Sequence, residues 1–70
     1  MTHKTILINA SSLFDSENEF YEYMDEYSSE FGFTSKDFKN SDLNNDQLTT
    51  LNDDLHELAT YKAAIYAENH

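Results

Sequence analysis

Leu48, Leu51, Leu55, Leu58 and Ile65 fall on one heptad stripe, interrupted only by Lys62. Apolar residues separated alternately by three and four positions share one face of an α-helix and no other regular structure. The segment DQLTTLNDDLHELATYKAAIYAENH therefore predicts a helix over about 46–67, capped by Asp46 or Asn45. Such a stripe has to be covered. In a chain of 70 residues the first surface available to it is the chain's own. An intramolecular core is the favoured reading, and self-association into a homodimer through residual apolar surface stays open.

The covering surface lies upstream. Phe20, Met24, Tyr27 and Phe31 recur at spacings of four, three and four, with Tyr23 alongside, which again marks one helical face. Ser16 and Glu19 have capping-box spacing, and Gly32, the only glycine, is placed to end the helix. A helix over about 16–31 follows. Phe20, Met24, Phe31, Leu51, Leu55 and Leu58 are expected to be buried. The connector FTSKDFKNSDLNN carries Phe33, Phe38 and Leu43 toward that core, with a short helical turn at Ser35 to Lys39. TILIN, residues 5–9, is β-branched and apolar and reads as a short N-terminal strand. A lone strand cannot satisfy its own backbone, so it would have to pair with the connector, another copy or a partner. The expected fold is mainly α, one small acidic domain over residues 1–70.

Composition sets the outer limits. Hydrophobic residues at 39% and aromatics at 14% are too many for an intrinsically disordered chain. Without cysteine there is no disulfide and no thiolate metal site. No apolar run reaches membrane-spanning length, and MTHKTILINASS lacks the apolar core of a signal peptide, so a cytoplasmic location is expected. Fourteen acids against four lysines, with no arginine, give a net charge of −10. That charge repels nucleic acid and anionic membrane as direct ligands and favours basic protein partners.

The charge is most concentrated in DSENEFYEYMDEYSSEF, Asp15 to Phe31, which holds seven acids and no base. At 100° per residue, Glu19, Glu22, Glu26 and Glu30 form a stripe about 80° wide, well away from the aromatic face. Successive carboxylates rise by about 4.5–6 Å along the axis. Like charges at that spacing cost a helix roughly 0.2–0.5 kcal/mol per pair, which one lysine in the row would have relieved. The row reads either as a solubilising surface or as a line of anions that imitates a phosphate backbone. Asp25 adds to it on the same helix, and Asp42, Asp46, Asp53, Asp54 and Glu57 extend the charge onto the second helix. Tyr21 falls about 100° from the centre of the apolar face, between core and acids, where it could anchor an interface. The expected partner-binding set is Glu19, Glu22, Glu26, Glu30, Asp25, Tyr21, Asp53, Asp54 and Glu57.

Signals for chemistry are sparse. Asp42, Asn44, Asp46 and Asp53 occupy positions 1, 3, 5 and 12 of an EF-hand-type loop, but position 6 is Gln47 where the sharp turn needs glycine. A helix starting near Asp46 leaves no room for that loop, so the segment reads as a helix N-terminus, with calcium binding as the alternative. His3, His56 and His70 have no metal or catalytic spacing, and Ser11 and Ser12 read as helix caps without a base to activate them. One glycine cannot build a phosphate loop. No enzyme, metal or cofactor is expected.

Two resemblances follow. In size, charge, absence of cysteine and the glutamate row, the chain resembles the small acidic inhibitors of phages and mobile elements that mimic nucleic acid, including anti-restriction and anti-CRISPR proteins. The arginine-free, Asn/Tyr/Phe-rich composition would also suit an AT-rich phage genome. LINASSLFDSENEF, Leu7 to Phe20, is similar to the opening of barstar-like ribonuclease inhibitors: a strand ending in Ile-Asn, a short loop and a capped helix. LNDDL, Leu51 to Leu55, resembles their later helix, although the connector here is longer and that family's remaining strands do not follow. Both resemblances imply an acidic surface filling a site meant for nucleic acid, on a nuclease, an effector complex or another basic nucleic-acid-binding protein. If the protein is phage-encoded, that would happen in the host cytoplasm. The alternative function is a small regulatory or assembly protein that docks through an apolar helical face, its acids serving solubility alone.

Overall fold

The computed structural model describes residues 2–68. They form five helices: α1 (His3–Ser11), α2 (Glu17–Glu26), α3 (Ser28–Phe31), α4 (Ser35–Lys39) and α5 (Asn45–Glu68). The fold is mainly helical, as the two apolar stripes require.

The N-terminal strand expected at residues 5–9 is not there; these residues lie within α1. Thr2 caps this helix, its hydroxyl accepting from the Thr5 N–H at 3.2 Å. Ile6 and Ala10 are buried on one side, with Leu7, Leu13 and Phe14 packed beside them. Those positions fit a helical stripe, and a helix satisfies its own backbone where a single strand has nothing to pair with. α1 packs chiefly on α5, tied to it by the Asn9 side-chain amide donating to the Asn52 side-chain Oδ1 at 2.9 Å.

The expected helix over 16–31 is divided at Tyr27. Its φ and ψ of −103° and 19° leave the α region, and α3 resumes for one turn beyond. The ladder still passes through, because the Tyr27 N–H reaches the Tyr23 carbonyl and the Phe31 N–H reaches the Tyr27 carbonyl. Tyr, Ser and Ser in succession are indifferent helix formers, which makes this the natural place to bend. Gly32 then closes α3 at φ +82°, a left-handed conformation that glycine adopts without strain.

α5 begins one residue earlier than expected and its cap is Asn44. Asn44 accepts from the Gln47 N–H at 2.8 Å, and the Gln47 side chain accepts from the Asn44 N–H at 2.9 Å. This reciprocal box starts the helix inside the segment an EF-hand loop would need. The core is Ile6, Ala10, Phe20, Met24, Phe33, Phe38, Leu43, Leu48, Leu51 and Leu55. Two expected members differ, since Phe31 and Leu58 are only half-buried. Among the described residues no helix is long and apolar enough to cross a membrane.

Candidate functional site

Glu19, Glu22, Glu26 and Glu30 are all exposed, as are Asp53 and Glu57 on α5. Glu19 also has a local task. Ser16 caps α2 by accepting from the Glu19 N–H, while the Glu19 carboxylate accepts from the Asp15 N–H at 3.1 Å. Glu30 stands beyond the bend at Tyr27, so the row is straight over Glu19, Glu22 and Glu26 and turns before its last member.

The other expected site residues are tied into the fold. Asp25 accepts from both the backbone N–H and the hydroxyl of Ser35, each at 2.8 Å, and so holds the start of α4 against α2. These two bonds, the N–H first and the hydroxyl second, hold its carboxyl below the usual aspartate range, with Lys39 adding a smaller pull the same way. Asp54 accepts from the Tyr23 hydroxyl at 2.6 Å. Burial, and then this bond to a carboxylate, push the Tyr23 hydroxyl far above its ordinary value, so it remains a donor. On α2, Tyr23 sits between the core face and the glutamate row. Its bond to Asp54 therefore brings α5 alongside the flank of α2 that carries the row. Tyr21 is half-buried rather than a projecting anchor. Its ring lies 6.2 Å from Phe38 and 5.8 Å from Phe20, with the Lys39 ammonium 4.4 Å above it.

Among the described residues the lysines form no close ion pair with the glutamate row. Among the described residues no lysine stands within 4.0 Å of a carboxylate. Lys39 lies over Tyr21, and Lys62 donates to the Leu13 carbonyl and lies 5.2 Å from the centre of the Phe14 ring. Lys39 and Lys62 are thus placed on aromatic rings, Lys62 also on a backbone oxygen, while the exposed glutamates of the row have no lysine beside them.

The remaining polar groups are structural. The Ser11 and Ser12 hydroxyls donate to the Ile8 and Asn9 carbonyls, so they finish α1 instead of starting the next helix. The His3 ring packs against Phe38, tilted by 52° with ring centres 5.0 Å apart, and among the described residues its buried Nε2 has no hydrogen-bond partner. His56 is exposed, and His70 lies outside the described residues. Among the described residues no group of three or more His, Asp or Glu is arranged to hold a metal ion. The Asp25–Ser35 and Tyr23–Asp54 contacts escaped the sequence reading because nothing local marks a pair 10 or 31 residues apart.

No protein-family model, curated protein or solved structure matches this chain.

Proposed function

We propose that this protein is a non-enzymatic inhibitor that occupies the basic nucleic-acid-binding groove of a target protein and blocks access of DNA or RNA. A phage counter-defence protein of the anti-CRISPR or anti-restriction kind is the form this takes. The observation that carries the reading is the exposed glutamate row, left without a basic partner although four lysines are available. A surface selected only for solubility needs net charge and not a regular row, and scattering the acids would recover the helix stability that like charges cost. A surface selected to sit in a basic groove has to keep its row unneutralised.

The second reading is docking by an apolar helical face. It is favoured by the end of α5, where Tyr61 and Tyr66 are 64% and 67% exposed and Ile65 is 38% exposed. Salt separates the two. Partner capture from a bacterial lysate, repeated at about 0.05 and 0.5 M salt, should lose its partner at the higher concentration if charge drives binding. Added duplex DNA or RNA should displace the captured partner. Capture that is indifferent to both salt and nucleic acid would favour the apolar reading and overturn the first.

A further inference from the structure

A cleft of about 240 Å³ opens where the end of α1 meets the start of α2. That is room for about eight waters, and it falls below the roughly 300 Å³ of the smallest drug-sized sites, so the cleft suits a single side chain. Leu7, Ala10, Phe14 and Phe20 supply its apolar walls, and the acidic residues Asp15 and Glu17 lie at it. The Phe14 and Phe20 rings are 5.6 Å apart and tilted by 39°, so the cleft has an aromatic side as well as an acidic one.

We infer that this cleft receives an arginine side chain of a partner protein. Three features select that occupant over a neutral apolar one. Asp15 and Glu17 are exposed, and among the described residues their carboxylates have no hydrogen-bond or ion-pair partner. On the α1 side Lys62 already bonds the Leu13 carbonyl and lies over the Phe14 ring, so the acids on the α2 side carry the selection. The positive end of α2 is outweighed by Glu17 and Glu19 in its first turn. Finally, a planar guanidinium stacks on aromatic rings while its N–H groups reach carboxylates, and its methylene stem prefers the apolar walls. The molecule places its own Lys39 and Lys62 on rings in a related way, at 4.4 Å and 5.2 Å.

No member of the glutamate row lines the cleft, and of the row only Glu19 adds charge near it. With Phe20 at zero and 100° per residue, Glu17 falls near 60°, about opposite the row on α2. The two surfaces therefore require separate tests.

The test is an NMR titration of the full chain with N-acetyl-arginine amide. Two matched probes, N-acetyl-citrulline amide and N-acetyl-norleucine amide, remove the charge and then every polar group. The arginine probe should produce saturable shifts at the amides of Leu7, Ser11 and Phe14, and should bind at least about fivefold more tightly than either matched probe, as a charge-assisted contact supplies. Glu17→Gln should weaken it several-fold, and Glu22→Gln, on the opposite flank, should leave it unchanged. Equal binding of the norleucine probe, an equal effect of Glu22→Gln, or shifts that never saturate would each overturn the proposal. None of those outcomes bears on the glutamate row, which is tested by displacement of nucleic acid.

Discussion

Ser41 holds φ at +58°, the left-handed conformation in which side chains other than glycine are strained. It does so because the chain must reverse after α4, where the Asp42 N–H bonds back to the Asp37 carbonyl at 3.0 Å. A left-handed residue costs roughly 1–2 kcal/mol, and the freedom glycine adds to the unfolded chain returns about half of that. Ser41→Gly should therefore stabilise the protein by about 0.5–1 kcal/mol in urea denaturation. Asp25 shows the opposite kind of local investment. Its folded carboxyl is held below the ordinary 3.8 by Ser35, so the stabilisation it gives is complete above that pH and fades as pH falls through the lower folded value. Asp25→Asn should be less stable than the wild type at neutral pH, and the gap between the two urea midpoints should narrow as pH falls below about 3.8. A gap independent of pH would mean that Asp25 does not act through its charge. Neither residue announced its role in the sequence. A left-handed serine has no motif, and the Asp25–Ser35 pair is made by α2 and α4 meeting in space.

Helices are where the sequence was most informative, and the exceptions have physical causes. α5 and most of α2 follow directly from repeated apolar spacings, and Phe33, Phe38 and Leu43 from the connector entered the core as their hydrophobicity suggested. α1 was misread because Thr5 to Asn9 is a short β-branched run, in which local propensity points to strand. Its helical stripe emerges only when Ile6 and Ala10 are read together with Leu13 and Phe14, across the two serines. The bend at Tyr27 was equally hidden, since the apolar spacing runs through it unbroken. α5 also shows that a stripe and a core are different things. Leu55 is buried under the other helices, whereas Ile65, three heptad positions further along the same stripe, is exposed. Leu55→Ala should cost about 2–5 kcal/mol, and Ile65→Ala about 0.5 kcal/mol or less, both read from urea midpoints. Equal costs would mean that something covers the end of α5 in solution, and sedimentation would then test for a second copy.

At the scale of the whole molecule the dimensions explain that difference. The described chain measures 41 × 22 × 20 Å, and α5 alone, at 24 residues, spans about 36 Å. The rest of the chain covers α5 as far as Ala59 and touches Lys62, and from Thr60 onward the helix is exposed. A domain of this size has about 4–10 kcal/mol of net stability at roughly 0.05–0.15 kcal/mol per residue, so the loss of Leu55 alone approaches the whole. Against so small a margin, an acidic row that opposes folding calls for a reason, and charge can be separated from folding by one variant. Glu22→Lys, Glu26→Lys and Glu30→Lys combined replace exposed carboxylates that make no hydrogen bond or ion pair among the described residues, Glu30 acting on the Tyr23 hydroxyl through its charge alone. The measurement is displacement of nucleic acid from the captured partner, with a urea midpoint taken on the same preparation. The account predicts that the triple variant is as stable as the wild type or slightly more so. It also predicts that the variant no longer displaces nucleic acid, each attraction having become a repulsion. A triple variant that folds normally and still displaces nucleic acid as the wild type does would contradict it, leaving the glutamate row a solvated face.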